Sequence, residues 1–193
     1  IEKSRRRWLS EEEIAHFFSV LRAYPDQFVL DNYQACTLLL CLGVRKSELL
    51  EATWNEFDLD KGIWILPEER SKTDEPLAYP LDEYLVNIFQ QLKWRSCGSE
   101  YVFPNRRASK RYGHISPDTL NAAINKLFRE NKLEIPHFTV HDLRRTFRSH
   151  LSSLGISDHI AERCLNHKIQ GSKGAYDVYD YFAERKEAHS KRD

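Results

Sequence analysis

Helical and strand-like hydrophobic patterns alternate along the chain, with short polar breaks between them. A capping box that begins at Ser10 precedes apolar residues at helical spacing, and Pro25 ends this first predicted helix. A second, almost wholly apolar helix is predicted to run to Gly43. A third is predicted to begin near Lys46 and to carry Trp54.

The pattern changes in the middle of the first half. Residues 57–62 are typical of a turn, residues 63–66 of a strand and residues 77–81 of a returning strand, so the polar segment 71–76 is predicted to be a hairpin tip. Helical patterns resume over residues 82–94, 117–131, 141–154 and 157–165, and again from about residue 174. Helices, one small antiparallel sheet or hairpin, then helices predict a mostly α domain of the α+β class.

Composition narrows the class of protein. With 41% hydrophobic and 12% aromatic residues the chain is not a disordered segment. No apolar run approaches the roughly 18 residues of a membrane span, and no secretory leader can be recognised, so we expect a cytoplasmic protein without a membrane partner. The four cysteines lack zinc-site spacing. We expect no metal, no other cofactor and no disulfide framework.

The net charge of zero conceals a marked asymmetry along the chain. Residues 1–92 carry 10 basic and 17 acidic side chains, residues 93–136 carry 9 and 4, and residues 137–193 carry 10 and 8. Binding to a polyanion depends on the field of one face rather than on the sum. The C-terminal half is therefore basic enough for a nucleic acid, although nothing in the composition requires one.

Several residues suit phosphate chemistry. His141 and Arg144 share one face of a predicted first helical turn that Thr139 can cap, and Arg45 directly follows a buried helix. Each has an ordinary structural interpretation, namely a histidine and an arginine on a solvated helix face and an Arg45–Glu48 ion pair. Arginine forks nevertheless match phosphate oxygens and stay charged.

Three further groups extend this inventory. Lys72 lies in the predicted hairpin tip, and His167 precedes Tyr176 by nine residues. A tyrosine hydroxyl can serve as a nucleophile once its proton is removed. Paired glycosidase carboxylates, a P-loop and an HExxH motif are missing from the sequence, so those chemistries are excluded.

These motifs resemble the catalytic domain of the tyrosine recombinases, the phage-integrase family, and above all its members from satellite phages and genomic islands. The likeness extends from Leu9 to about Arg185 and includes a hairpin of the form W-x-x-P-x-x-R-x-K, beginning at Trp64. The matching positions, in the family's order, are Arg45 with Glu48, Lys72, His141 with Arg144, His167, and Tyr176.

The resemblance implies a reaction and a role for each residue. The reaction is site-specific DNA recombination, the integration or excision of a mobile element, by metal-free transesterification. Tyr176 would attack phosphorus and form a 3′-phosphotyrosyl link, while Lys72 would protonate the leaving 5′-hydroxyl. The phosphate would be held by both arginines and His167, and His141 would assist proton transfer, which makes the predicted catalytic set Arg45, Lys72, His141, Arg144, His167 and Tyr176.

The resemblance also implies partners. They are double-stranded DNA at attachment sites and further copies of the protein, a homotetramer on DNA when full-length, in a bacterial or phage-infected cell. Because the chain begins with Ile1 and contains no Met, we expect a monomeric fragment: residues 1–8 as a basic linker stub, residues 9–193 as the catalytic domain, and the N-terminal core-binding domain missing. Candidate DNA contacts, no better supported than simple solvation, are Arg106, Arg107, Lys110, Arg111 and Arg145.

Other interpretations stay open at the level of sequence. Tyr179 and Tyr181 are rival nucleophiles, although the spacing from His167 favours Tyr176. Asn166 stands where the family usually has Gly, which affects a turn but no catalytic group. The same chemistry would serve a type IB topoisomerase, and loss of catalysis would leave a DNA-binding module. A plain helical interaction domain would have to produce the six candidates in order by chance.

Overall fold

The computed structural model describes residues 7–106, 113–167 and 181–191. Helices dominate these ranges, and one small sheet interrupts them. The α-helices are α1 (Glu11–Ala23), α2 (Leu30–Leu42), α3 (Lys46–Leu50), α4 (Glu83–Arg95), α5 (Thr119–Arg129), α6 (Val140–Ser153), α7 (Asp158–Cys164) and α8 (Phe182–Ser190). The strands are β1 (Phe57–Asp58), β2 (Ile63–Leu66) and β3 (Leu77–Pro80), and short 3-10 turns cover Trp54–Glu56 and Glu68–Arg70.

The sheet is antiparallel, with β2 in the centre. Trp64 of β2 lies opposite Phe57 on one side and Tyr79 on the other. Its indole is fully buried and stacks on the Phe57 ring at 5.3 Å between centroids. The inward face of the strands therefore joins the helical core, while the segment between β2 and β3 projects from it.

Helix α2 runs through the core and ends at Gly43. Gly43 adopts a left-handed conformation, with φ of +64°, and its amide closes the helix by donating to the Leu39 carbonyl. A Cβ atom there would lie 2.1 Å from the Phe147 ring of α6. Only glycine lets α2 and α6 approach this closely, and this approach places the residues after α2 beside the start of α6.

Two hydrophobic clusters meet along α6. Leu143 belongs to the main core, which α1, α2, α4 and α5 build with the sheet. Phe147 and Leu151 belong to a smaller cluster whose other members come from the α7 region and α8. Since α6 contacts both clusters, the position of the helix is fixed from two sides.

The predicted class, a mostly helical domain with one small antiparallel sheet, is confirmed. Two local predictions were wrong. Helix α3 ends at Leu50, and Trp54 begins a separate 3-10 turn. Phe57 and Asp58, expected in a turn, form the edge strand β1, where pairing with β2 and stacking of Phe57 on Trp64 stabilise the extended backbone. Residues 174–180, where a last helix was expected to begin, lie outside the described residues; α8 follows them.

Within the described ranges, no helix combines the length and the apolar character that crossing a bilayer requires.

Candidate active site

The first turn of α6 presents His141 and Arg144. The Asp142 carboxylate accepts hydrogen bonds from the Thr139 amide at 2.8 Å and from its hydroxyl at 3.0 Å. These bonds hold the chain at the start of the helix, where backbone amides lack helical partners. Asp142 also pairs with Arg145 at 2.6 Å. The residues on either side of the two candidates are therefore fixed by hydrogen bonds.

Arg144 is buried and is held by backbone carbonyls. Its guanidinium donates to the Gly43 carbonyl and, at 2.5 Å, to the Leu165 carbonyl, and it lies 3.0 Å from Nε2 of His167. In the described part of the chain, no carboxylate forms an ion pair with it. Burial and the nearby Arg45 lower the pKa of Arg144 to about 10, so the group is still charged at neutral pH. A buried charge without a counterion is costly, and an anion bound beside it would remove that cost.

Arg45 stands at the start of α3, next to this guanidinium. The Glu48 carboxylate, which is almost fully buried, accepts from the Arg45 amide at 2.9 Å and from its side chain at 2.8 Å. The Arg45–Glu48 ion pair, which the sequence offered as an alternative interpretation, is therefore present in the structure. This pair leaves part of the guanidinium available for a ligand, because it uses one edge of the group and the side chain is still 19% exposed.

A concave cleft of about 460 Å³ opens above Arg144. His141 and His167 line the same cleft, so the structure brings together three of the predicted catalytic residues. Its remaining walls come from the basic segment before α1, from α6 and from α7: Arg7, Trp8, Arg145, Arg148, Ser149, Glu162 and Leu165. A cleft with this many cations suits an anionic ligand.

The two histidines have different surroundings. Partial burial and the positive charges of Arg145 and Arg144 lower the pKa of His141, so it is neutral at pH 7 and can accept a proton. His167 instead lies between a carboxylate and a guanidinium: its Nδ1 is 2.5 Å from the Glu162 carboxylate, and its Nε2 faces Arg144. The carboxylate orients the ring, with Nε2 directed toward the arginine.

Glu162 was missed by the sequence analysis. It accepts from Arg148 at 2.7 Å as well as contacting His167. Burial opposes its ionisation, but the hydrogen bonds from Arg148 and His167 outweigh burial and lower its pKa. The sequence does show an acidic residue five positions before the candidate histidine. That spacing does not predict a contact, because it is the turn after α7 that brings the two side chains together.

Lys72 projects from the loop between β2 and β3 and is exposed. The base of this loop is anchored by Arg70, which donates to both oxygens of Glu56 at 2.7 and 2.8 Å and to the Glu48 carbonyl at 3.0 Å. Glu56 also accepts from the buried Trp64 indole at 2.9 Å. The lysine therefore extends from a rigid base that is itself bonded to the helix carrying Glu48.

The structure describes some of the remaining candidates and not others. Tyr176, Tyr179, Arg107, Lys110 and Arg111 lie outside the described residues. Tyr181 packs its ring against His159 at 4.6 Å and is not among the residues of the cleft. Arg106 is turned toward α2, where it donates to Asn32 at 2.8 Å. Arg145 lines the cleft while it pairs with Asp142.

The described residues contain no group of three or more histidine, cysteine or acidic side chains placed to hold a metal ion. Of the two histidines in the cleft, His167 contacts an arginine and a carboxylate instead. Nor do the cysteines suggest a cofactor site: Cys36 and Cys164 are buried in the two clusters, and burial raises the pKa of the Cys164 thiol to about 12.

Comparison with solved structures identifies the fold. The integrase of transposon Tn1549, in complex with a circular intermediate DNA, superimposes with a TM-score of 0.73 at 17% identity, over 86% of this chain and 59% of that one. The integrase of mycobacterium phage Brujita gives 0.72 at 20% identity, over 100% and 60%. The fold is that of the catalytic domains of tyrosine recombinases.

Sequence comparison identifies the family. The sequence model of the phage integrase family matches residues 7–178, and the chain therefore belongs to that family. The integrase of Enterobacteria phage P4 is 32% identical over 182 residues, which are 87% of this chain and 40% of that protein. The chain thus spans less than half the length of this relative.

Proposed function

We propose that this chain is the catalytic part of a tyrosine-type site-specific DNA recombinase, which cuts and rejoins DNA during integration or excision of a mobile element. One observation carries the proposal: the Arg144 charge is buried beside Arg45, without an ion-pair partner among the described residues, at the floor of a cationic cleft. A phosphodiester is the anion that this arrangement fits, because two arginine forks match its two non-bridging oxygens.

The proposed reaction needs no external energy source. The Tyr176 hydroxyl attacks phosphorus and its proton passes to His141, the histidine with the lowered pKa. The bond from phosphorus to the 5′-oxygen breaks, and Lys72 supplies the proton that this oxygen needs. The phosphotyrosyl ester conserves the bond energy until the 5′-hydroxyl of another strand attacks it.

The arginines and His167 act on the phosphate itself. Negative charge accumulates on its non-bridging oxygens in the transition state, and preorganised cations stabilise that charge without moving. An arginine about 4 Å from such an oxygen contributes up to about 4 kcal/mol at an effective dielectric constant near 20, before desolvation is subtracted. Two arginines can therefore provide a large part of the rate enhancement, and His167 adds a hydrogen bond to the phosphate.

The proposal extends to partners. The Tn1549 integrase was solved with DNA, which supports double-stranded DNA as the substrate here. Each cleaved strand needs its own tyrosine, so the exchange of four strands between two sites calls for four copies of the protein. We place the reaction in the cytoplasm, where bacterial DNA lies, and we propose that residues 1–8 connect the catalytic domain to a separate DNA-binding domain.

Covalent trapping tests the proposal. The full-length protein is incubated without metal ions with nicked duplexes that carry its attachment site, so that cleavage cannot be reversed. We expect a protein–DNA adduct that resists SDS and disappears in Tyr176→Phe. Tyr179→Phe is the matched control, since it removes the same hydroxyl from the neighbouring candidate and should leave the adduct in place.

Each other outcome points elsewhere. An adduct that persists in Tyr176→Phe and disappears in Tyr179→Phe would move the nucleophile by three positions. No adduct on any attachment site would favour a DNA-binding module without catalysis. Relaxation of supercoiled DNA without joining of two sites would favour a topoisomerase, an interpretation that the integrase and recombinase relatives do not favour.

A further inference from the structure

The loop that carries Lys72 and the turn that carries His167 are joined by one side chain, Asn166. Its Oδ1 accepts a hydrogen bond from the Thr73 hydroxyl at 3.1 Å, and its Nδ2 donates to the Ser71 hydroxyl at 3.0 Å. The two hydroxyls are also 2.9 Å from each other. Asn166 therefore binds the residue immediately before Lys72 and the residue immediately after it.

These contacts are buried, although the lysine between them is not. Ser71, Thr73 and Asn166 are between 5 and 9% exposed, whereas Lys72 is exposed. Within the described ranges, the hydrogen bonds from loop 71–76 to the helical part of the domain are the two made by Asn166. Arg70 fixes the base of the loop, but the backbone at Lys72 itself is held against the turn after α7 by this amide.

On the other side, Asn166 belongs to the turn that completes the phosphate site. The preceding carbonyl, of Leu165, accepts from Arg144, and the following side chain, of His167, faces the same guanidinium. A change in this turn would move both. The amide thus connects the groups that would hold the phosphate to the group that would protonate the leaving oxygen.

The backbone alone does not explain an asparagine here. Asn166 has φ of 52°, a left-handed conformation that glycine adopts at least as easily. Glycine would preserve the turn and remove both hydrogen bonds to the loop. Replacing Asn166 with Gly therefore separates the shape of the turn from the connection that its side chain makes.

We propose that Asn166 is a positioning residue, whose amide fixes the backbone at Lys72 relative to Arg144 and His167 so that the lysine reaches the leaving 5′-oxygen. The inference rests on the proposed recombinase function. It predicts a specific defect in Asn166→Gly, in which protonation of the leaving group fails while the phosphate is still held. A variant that merely disturbed the fold would weaken every step.

The experiment compares two leaving groups. Single-turnover cleavage by the full-length protein is measured on nicked attachment-site DNA with the ordinary 5′-oxygen, and on the same DNA with sulfur in that bridging position. A thiolate departs without being protonated, so a missing general acid matters little on the sulfur substrate. We expect Asn166→Gly to cleave the oxygen substrate at least about tenfold more slowly than wild type, part of the about 10²- to 10⁴-fold that a general acid supplies. On the sulfur substrate its rate should lie within about twofold of wild type, as should that of Lys72→Ala.

Two further variants control the comparison. Asn131→Gly makes the same replacement at an exposed position that also has φ of 52°, and it should behave as wild type on both substrates. Thr73→Val keeps the branched shape of the side chain but removes the donor to Asn166, and it should reproduce the selective defect. Thermal unfolding of each variant checks whether the fold is retained.

Three outcomes would overturn the inference. Wild-type rates for Asn166→Gly on the oxygen substrate would mean that the amide positions nothing. A loss of equal size on both substrates would mean that Asn166 acts through the phosphate-holding groups or through the fold. A wild-type protein that forms no adduct with either substrate would overturn the proposed function first, and the inference with it.

Discussion

The two sides of the candidate site are built in different ways. On one side, Arg144 is buried, takes its position from two backbone carbonyls, and stands beside an arginine that is paired with a buried acid. On the other side, Lys72 extends into solvent from a loop that neutral hydroxyls and one amide hold in place. On the first side the charged group itself is held in place, whereas on the second only the backbone that carries the charged side chain is held.

The difference follows from what each side would have to do. Groups that stabilise charge on a phosphate are most effective when they are already in place, because no reorganisation is then needed during the reaction. A group that delivers a proton must instead approach the leaving oxygen, and a lysine on a four-carbon stem has the necessary reach. Burial suits the first task and exposure suits the second.

Among the substitutions that test this contrast, Arg144→Lys should have the largest effect on the cleavage rate. A lysine keeps the charge but cannot reproduce the planar fork that bonds two carbonyls and, in the proposed reaction, would face the phosphate. Cleavage of oxygen-linked DNA should fall by about 10³-fold. Unlike the defect on the Lys72 side, this loss should persist on sulfur-linked DNA, because leaving-group protonation is not the missing step.

The matched control is Arg145→Lys, at the next position of α6. Arg145 reaches the cleft rim, pairs with Asp142 and is 39% exposed, so its exact geometry matters less. Because an exposed ion pair contributes little, cleavage by this variant should stay within about threefold of wild type. Equal losses for the two lysine variants would show that burial of Arg144 confers no special role.

The contrast also separates what sequence could reveal from what it could not. The motifs at Arg45, His141, Arg144 and His167 are short and local, and the hydrophobic pattern around them predicted the neighbouring helices. Arg45 immediately precedes α3, His141 and Arg144 lie on α6, and His167 follows α7. The contacts that position them are long-range. Gly43 and Arg144 are 101 positions apart, and Thr73 and Asn166 are 93 apart, so no local pattern could indicate either contact.

Asn166 shows the limit most clearly. In the sequence it is a departure from the family's usual glycine, with a consequence only for a turn. The structure keeps the turn, with φ of 52°, and gives the side chain two buried partners on another element. The small errors at Trp54 and Phe57 have the same origin, since packing against the sheet overrode the local pattern.

A smaller effect, on stability, should come from Glu48→Gln on the charged side. The neutral amide keeps the shape but removes the buried counterion of Arg45, and breaking a buried pair costs about 3 kcal/mol in the free energy of unfolding. Glu13→Gln is the control, because Glu13 pairs with Arg7 at 2.7 Å near the surface and glutamine preserves its capping role. The control should cost about 1 kcal/mol or less. Urea unfolding measures both, and similar losses would contradict the assignment of Glu48 as a buried counterion.

The smallest effect should be a shift in pH dependence caused by Arg145→Gln. Partial burial and the charges of Arg145 and Arg144 lower the pKa of His141, which in the proposed reaction must be neutral to accept the tyrosine proton. Removing the Arg145 charge lets the His141 pKa rise toward its ordinary value, so the acidic limb of the cleavage rate should move to higher pH. Lys61→Gln, which removes an exposed cation from the turn between β1 and β2, should leave that limb in place. If the acidic limb moves to lower pH in Arg145→Gln, or does not move, His141 is not the group that this limb reports. The proton acceptor would then have to be sought elsewhere in the cleft.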